Sequence, residues 1–182
     1  MKISNTKIKD LLIIEPKIYF DSRGYFFESY NQTLFKKKIG DFNFLQDNES
    51  KSSKGVLRGF HFQKPPFGQA KLVRCIYGEI LDVVLDLRKK SSTYGKYHKN
   101  ILSGDNKKQL FIPRGFAHAY LVLSETAIIS YKVDNVYAPN FQGGIIWNDP
   151  SLSINWGIDD SKIILSEKDK NLDVLKTFES PF

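Results

Sequence analysis

Cysteine and histidine are both scarce in this chain of 182 residues. There is one cysteine, Cys75, and there are three histidines. A single cysteine excludes an intramolecular disulfide, and its place in the apolar run 72–77 predicts a buried, inert thiol. A catalytic metal centre usually takes about three protein ligands. A metal held by His61 and His118 is therefore the weaker alternative, and no metal is expected.

Long apolar runs are also missing. No stretch approaches the roughly 18 apolar residues that a membrane span needs. The first ten residues are polar and lysine-dotted, without the apolar centre of a signal peptide. No glycine-rich phosphate loop and no serine nucleophile elbow is present. We expect a soluble, cytoplasmic protein without a membrane partner.

Acidic residues are fewer than basic residues. Lysine and arginine number 27 against 20 aspartate and glutamate, a formal net charge of +7. This excess favours anionic partners such as phosphates or nucleotides, but on composition alone a solvated lysine surface is the better explanation. The runs 36–38 and 107–108 are typical of such a surface. No basic-aromatic motif of a nucleic-acid module appears, so nucleic acid is not an expected partner.

Short apolar runs separated by turn residues dominate the chain. Such spacing, without long helical periodicity, predicts an all-β sandwich or barrel, and the length predicts one domain over 1–182. Short helices are expected over 31–38 and after Ser166. The predicted strands are 11–14, 25–30, 42–48, 56–63, 71–77, 79–87, 97–102, 109–112, 117–123, 126–133 and 145–147.

The predicted strand 79–87 has an unusual second face. One face is apolar throughout, whereas the other alternates Ile80 and Val84 with Asp82 and Asp86. Two carboxylates among apolar neighbours face either solvent or the mouth of a cavity. The pattern leaves both possibilities open.

The main chemical candidate is His61, which lies between two cations, Arg58 and Lys71. The turn at 65–68 predicts a hairpin that brings Lys71 across from the His61 segment. Regular alternation would put Arg58 and His61 on opposite faces, so sharing one site needs an irregular strand. Gly59 is the natural place for a bulge. His98 is expected at the surface.

Several motifs together resemble the dTDP-4-dehydrorhamnose 3,5-epimerase family. They are the segments 57–63, 71–75, 78–83, 112–118, 131–132, 147–150 and 165–169, which occur in the family's order and cover nearly the whole chain. The resemblance implies a homodimeric cupin-type jelly roll, or β-sandwich, that works without a metal or an organic cofactor. Its substrate would be a dTDP-4-keto-6-deoxyhexose, whose C4 ketone acidifies the hydrogens on C3 and C5.

The resemblance also implies catalytic roles. His61 would be the base, Tyr131 the acid, Lys71 the cation beside O4, and Asp169 the partner of His61. Two structural interpretations stay open beside these roles. Tyr131 fits an interior strand tyrosine, and Asp169 fits a capping box that begins at Ser166.

Further residues are implied as substrate contacts. Where many relatives carry glutamate this chain has Gln142, so the contact there is open. Family dimers exchange N-terminal strands, so Arg23 and Glu28 would serve the partner's site. The implied substrate-binding residues are Arg23, Glu28, Gln46, Asp47, Asn48, Arg58, His118, Tyr137, Gln142 and Lys168.

Two alternatives to a double epimerase remain at this stage. A relative could invert only C3 or only C5 of a related nucleotide sugar. The chain could also be a non-catalytic protein that binds sugar nucleotides, although the joint presence of His61, Lys71, Tyr131 and Asp169 argues against that.

Overall fold

A computed structural model describes residues 1–182. Its regular secondary structure consists of thirteen strands, one α-helix, α1 (Gln32–Lys38), and three short 3-10 helices. The strands are β1 (Lys2–Asn5), β2 (Leu12–Glu15), β3 (Tyr19–Asp21), β4 (Gly24–Phe26), β5 (Gln46–Ser53), β6 (Leu57–Gln63), β7 (Lys71–Tyr77), β8 (Glu79–Asp86), β9 (Tyr97–Ser103), β10 (Gln109–Ile112), β11 (Phe116–Val122), β12 (Thr126–Val133) and β13 (Gln142–Gly144). The 3-10 helices are Pro139–Phe141, Asp160–Lys162 and Asp169–Asn171.

Two antiparallel sheets make the body of the molecule. The six-stranded sheet has the order β1-β2-β10-β7-β12-β5, and the five-stranded sheet has the order β13-β6-β11-β8-β9. Strands β3 and β4 form a separate hairpin. The predicted all-β, cupin-type sandwich is confirmed.

The core lies between the two sheets and on the outer face of the smaller one. Val73 and Ile129 of the larger sheet meet Ile80 and Val84 of β8 in the inner cluster. The other face of β8 packs under the C-terminal segment. Burial on both sides resolves the question of Asp82 and Asp86, since neither side chain reaches solvent and both residues are 0% exposed.

Helix α1 follows its sequence signals. The Asn31 side chain accepts a hydrogen bond from the Leu34 amide at 3.0 Å, and Phe35 is the buried residue. Ile39 ends the helix as its C-cap, just before Gly40. No helix of the chain is long and apolar enough to cross a bilayer.

One pairing prediction and three strand predictions need correction. The hairpin expected from the turn at 65–68 does not form, because β6 lies in the five-stranded sheet and β7 in the six-stranded sheet, so Lys71 comes from the sheet that faces His61. The strand expected over 25–30 is limited to Gly24–Phe26, and the one expected over 42–48 starts only at Gln46 and continues to Ser53. Phe42 and Phe44 pack against the ring of Phe35 instead of joining a sheet. In the region expected as strand 145–147, only Ile145 makes an isolated bridge, and the regular strand precedes it.

The side chains of Cys75 and His98 both point into the protein, although only Cys75 is fully buried. Cys75 is 3% exposed, as predicted, and burial raises the pKa of its thiol to about 11. The prediction for His98 is wrong: its side chain is half-buried on the inner face of β9, and its Nε2 is shielded from solvent. Burial lowers the pKa of His98, and the charge of Asp82 opposes that shift.

Candidate active site

A cleft of about 320 Å³ opens between the two sheets. It is lined by the proposed base, acid and cation together with amide and aromatic side chains. The lining residues are Gln46, Asn48, His61, Phe62, Gln63, Gln69, Lys71, Tyr131, Tyr137 and Gln142. Three of them, Phe62, Gln63 and Gln69, are not among the predicted site residues, although Gln63 lies two positions after His61 on the same strand face.

An irregularity in β6 aligns Arg58 with His61. His118 of β11 pairs with His61, whereas Tyr120, two residues later, pairs with Arg58, three residues earlier. One extra residue of β6 therefore fits between these two pairs, as in a β-bulge. Gly59 has a φ of +132°, and a Cβ there would lie 2.7 Å from the His118 carbonyl oxygen. The predicted irregularity at Gly59 is confirmed, and Arg58 and His61 share one face.

His61 is paired with Asp169, which lies 108 positions away. The distance from His61 Nε2 to Asp169 Oδ1 is 2.5 Å, and Asp169 is only 3% exposed. Ser166 Oγ accepts a hydrogen bond from the Asp169 amide at 3.2 Å. The capping interaction uses the backbone amide of Asp169 and the pairing with His61 uses its carboxylate, so the two coexist.

The charge state of Asp169 fixes the tautomer of His61. Burial alone raises the pKa of Asp169, but the hydrogen bond and charge of His61, with hydrogen bonds from Ser166 and the Gly59 amide, lower it below its usual value. An ionised carboxylate only accepts hydrogen bonds. Nε2 of His61 is therefore the donor, and in neutral His61 the lone pair lies on Nδ1.

Lys71 presents an ammonium group that has no ion-pair partner. No carboxylate oxygen lies within 4.0 Å of its Nζ. Burial lowers the pKa of Lys71 to about 8, and the charge of Asp82 opposes this shift. A cation in the cleft that has no carboxylate partner suits the recognition of an anionic oxygen.

Tyr131 faces the same cleft from β12, opposite Asn48 of β5. Burial raises the pKa of its hydroxyl, as does Tyr120, whereas the charge of Arg58 acts in the opposite direction. Tyr131 is therefore protonated at neutral pH and can donate a proton. Arg58 itself donates to Ser52 Oγ at 3.1 and 3.2 Å.

Other predicted contacts are organised by hydrogen bonds along the cleft. Gln46 donates to Asn48 Oδ1 at 2.8 Å, and the Tyr137 hydroxyl donates to Gln142 Oε1 at 2.7 Å. Strand alternation turns Asp47 to the opposite face of the sheet. There it accepts from Lys132 Nζ at 2.7 Å.

Six predicted substrate contacts do not line the cleft within this chain: Arg58 and Asp47, whose partners are given above, and the four residues that follow. Arg23 pairs with Asp21 at 2.6 Å in the β3–β4 hairpin, and Glu28 lines a separate pocket beside Tyr30. Lys168 is exposed next to Asp169, and His118 is buried behind His61. Their roles as ligand contacts stay predictions.

No group of three or more histidine, cysteine, aspartate or glutamate side chains has a metal-binding arrangement. His61 and His118 are neighbours across β6 and β11, but the Nε2 of each is hydrogen-bonded to a different aspartate, Asp169 for His61 and Asp82 for His118.

Comparison with known proteins gives one consistent result. Residues 5–177 match the family model described as dTDP-4-dehydrorhamnose 3,5-epimerase. The enzyme of that name from Shigella flexneri is 49% identical over 172 residues, which cover 94% of each chain.

Two crystal structures are similarly close. That of dTDP-4-dehydrorhamnose 3,5-epimerase from Elizabethkingia anophelis NUHP1 is 50% identical, with a TM-score of 0.93 and 97% of each chain covered. That of a dTDP-6-deoxy-D-glucose-3,5-epimerase from Legionella pneumophila, in complex with dTDP-4-keto-L-rhamnose, is 44% identical with a TM-score of 0.94. It covers 98% of this chain and 94% of that one. The chain belongs to the dTDP-4-dehydrorhamnose 3,5-epimerase family.

Proposed function

We propose that this protein inverts C3 and C5 of dTDP-4-dehydro-6-deoxy-α-D-glucose and so produces dTDP-4-dehydro-β-L-rhamnose, in dTDP-L-rhamnose biosynthesis. The observation that carries the proposal is the meeting of His61, Lys71 and Tyr131 in one cleft, with His61 held by a buried carboxylate. Family membership supports the same substrate class.

The first step is removal of a proton next to the C4 ketone. Nδ1 of His61 takes the proton from C3 or C5, and the electron pair of the broken C–H bond moves into an enolate at O4. Asp169 stabilises the imidazolium that forms, because a charge-assisted hydrogen bond strengthens as His61 becomes charged. Lys71 stabilises the negative oxygen.

The second step returns a proton from the opposite face. Tyr131 donates its hydroxyl proton to the carbon, and the carbon inverts. Before the other carbon reacts, His61 loses its proton and Tyr131 regains one, both by exchange with water. This acid–base pair on opposite faces is what distinguishes inversion from simple exchange.

Deuterium exchange tests the proposal directly. The protein is incubated with the dTDP-4-keto sugar in D2O, and label at C3 and C5 is followed by NMR. Label and inversion at both carbons are expected. Label at one carbon means a C3-only or C5-only epimerase, and no label at either rejects catalysis on this substrate.

His61→Ala tests the base separately from the binding site. This variant should lose exchange at both carbons while still binding dTDP, because the nucleotide contacts remain. Wild-type exchange by this variant would reject His61 as the base. Loss of dTDP binding would mean that the substitution damaged the cleft.

We also propose a homodimer that exchanges its β3–β4 hairpins. Tyr19, Phe20, Tyr25 and Phe26 are 53%, 76%, 54% and 67% exposed on this hairpin. Four exposed aromatic side chains on one short hairpin are typical of a protein interface. Arg23 lies at its tip, where a partner's cleft could receive it.

Light scattering after gel filtration checks the dimer. The double substitution Phe20→Ser and Phe26→Ser should give a monomer, whereas Tyr94→Ser, an exposed aromatic elsewhere, should leave the dimer intact. A monomeric wild-type protein would reject the proposal. Mixing inactive Arg23→Ala and His61→Ala proteins should restore activity if Arg23 serves the partner's site.

We propose a cytoplasmic enzyme that needs no metal. Lys71 supplies the positive charge that a metal ion supplies elsewhere. Full activity after exhaustive dialysis against a chelator is the expected result, and reversible loss of activity would contradict it. Cell fractionation checks the location.

A further inference from the structure

Tyr137 is an exposed aromatic residue whose hydroxyl is nevertheless held by the protein. It is 51% exposed, and its hydroxyl donates to Gln142 Oε1 at 2.7 Å. Both residues line the cleft. A tyrosine with half of its surface in solvent normally keeps its rotamer freedom, since water can satisfy its hydroxyl. The contact with Gln142 restricts the ring of Tyr137 before any ligand arrives.

The chain between these two residues forms a short arch, residues 137–142, that is fastened to β6. It contains the 3-10 helix Pro139–Phe141 and ends where Gln142 begins β13. Gln142 pairs with Gln63 of β6 in the strand register. Gln63 is 4% exposed, and its Oε1 accepts from the Ala138 amide at 2.9 Å. The buried Gln63 side chain therefore holds the first turn of the arch, and strand pairing holds its end.

We propose that Gln63 and Gln142 are positioning residues that hold the ring of Tyr137 ready as a flat wall for the base of a nucleotide. Gln63 fixes the backbone beside Tyr137, and Gln142 fixes the hydroxyl of its ring. Gln142 acts through Tyr137 and not by touching the ligand. The identity of the ligand as the nucleotide part of a dTDP-sugar rests on the proposed function, whereas the restriction of Tyr137 does not.

Restricting the ring strengthens binding without adding a contact to the ligand. An aromatic side chain and a planar base attract each other when their faces stack. Part of that gain is lost when binding has to immobilise a mobile side chain. In this arch the immobilisation has already occurred during folding, so more of the stacking energy contributes to affinity.

The two ends of the Gln142 amide separate positioning from direct contact. Positioning needs the oxygen, which accepts from Tyr137. A direct contact with a carbonyl or phosphate oxygen of the ligand needs the NH2 group, because only that group donates. Glutamate keeps an acceptor oxygen but has no such donor, and methionine, of similar length, has neither. Q142E and Q142M therefore give different results under the two roles.

The first test uses the free protein. NMR relaxation of rings labelled with ¹³C at tyrosine Cε, with the Tyr137 signal assigned by its loss in Y137F, measures motion on the picosecond to nanosecond timescale. The Tyr137 ring should be ordered in the wild type and in Q142E, and mobile in Q142M. An ordered ring in Q142M would overturn the role of Gln142.

Q109M is the matched control, because the Gln109 side chain donates to the Ser29 carbonyl at 2.8 Å and lies outside the cleft. Its Tyr137 ring should stay ordered, and equal mobility in Q109M would also overturn the inference. For the second glutamine, Q63M should speed hydrogen exchange of the Ala138 amide. An unchanged exchange rate there would reject the role of Gln63.

The second test is a double-mutant cycle on dTDP binding, measured by calorimetry. Y137F and Q142M break the same hydrogen bond, so each should weaken binding roughly five-fold, and Y137F covers the case in which Q142M does not fold. The double variant should also lose only roughly five-fold, and Q142E should bind within roughly two-fold of the wild type. A roughly 25-fold loss in the double variant, or a Q142E as weak as Q142M, would mean that Gln142 contacts the ligand itself. Failure of the wild type to bind dTDP would reject the proposed function, and the NMR test of the free protein would still decide the positioning of Tyr137.

Discussion

Replacing Asp169 by asparagine removes one charge from the centre of the proposed catalytic apparatus and little else. The side chain is 3% exposed and 2.5 Å from His61 Nε2, and asparagine has nearly the same shape. A hydrogen bond to a charged group contributes about 1.5–3 kcal/mol, against about 0.5–1.5 kcal/mol for a neutral one. Loss of roughly 1.4 kcal/mol from the imidazolium already means about a ten-fold slower proton abstraction.

The tautomer adds to this loss. The amide group of asparagine can donate its NH2 to Nε2 of His61, which forces the ring proton onto Nδ1. Nδ1 then cannot act as a base, and general-base catalysis contributes about 10²–10⁴-fold. We therefore expect D169N to lower the rate of exchange at both carbons by at least roughly 10²-fold.

The assay is deuterium incorporation at C3 and C5 at equal, saturating substrate. Ser166→Ala is the comparison variant: it removes the hydroxyl that caps the Asp169 turn and one hydrogen bond to the Asp169 carboxylate, but it leaves the charge of Asp169 and its contact with His61 in place. Its rate should stay within a few-fold of the wild type. A D169N rate that is also within three-fold of the wild type, in a protein with the same thermal stability, would refute the pairing as a source of basicity.

Three further outcomes follow from the structure. In Tyr131→Phe, His61 should still remove the C–H proton, but a proton should return only to the original face. NMR should therefore show label without inversion. Inversion at the wild-type rate would contradict the acid role of Tyr131. Gly59→Ala should lower the free energy of unfolding by about 2 kcal/mol or more, because the φ of Gly59 and the closeness of Ala119 leave no room for a Cβ. Urea unfolding measures this free energy. A decrease of less than about 0.5 kcal/mol would contradict the tight packing at Gly59. Burial raises the pKa of Asp86, but hydrogen bonds, first of all that from Arg88, hold this pKa below its usual value. The ionised Asp86 therefore stabilises the fold above about pH 4, and this stabilisation is lost as the pH falls further. D86N should flatten this acid loss in urea unfolding, and an unchanged slope would contradict it.

The predictable part of the fold is the part with strong apolar periodicity. Strand β8 was predicted almost to its ends because its alternating residues serve two different clusters. Helix α1 was predicted from Asn31 and the residues that follow it. In both places the local pattern and the final burial agree.

The missed elements have weak or misleading local patterns. Strand β5 is polar along Gln46–Ser53 because its inner side chains line the cleft and its outer ones face solvent. His98 looks like a surface residue among lysines, yet it faces inward from β9. Aromatic residues 42 and 44 are typical of a strand but complete a cluster around α1. Tertiary contacts decided each of these cases.

The sequence predicted the residues of the site better than it predicted their contacts with one another. The spacing of Arg58, Gly59 and His61 predicted a bulge, and the strand register confirms it. The contact between His61 and Asp169 could come only from the resemblance, because no local pattern links residues 108 positions apart. The structure adds a hydrogen bond between His118 Nε2 and Asp82 Oδ2, which no motif indicated.

The segment that carries Asp169 has a consequence for how activity is lost. After Gly144 the chain has no strand and only two 3-10 helices, and it is attached to β6 through contacts such as the Leu57 amide to the Ile164 carbonyl at 3.0 Å. Weakly structured segments open at lower free energy than the sheets they cover. Brief detachment of this segment would leave Lys71 and Tyr131 in place while His61 loses its partner. The molecule would then alternate between a form that binds and reacts and a form that only binds, and hydrogen exchange of the Asp169 amide would report the balance between them.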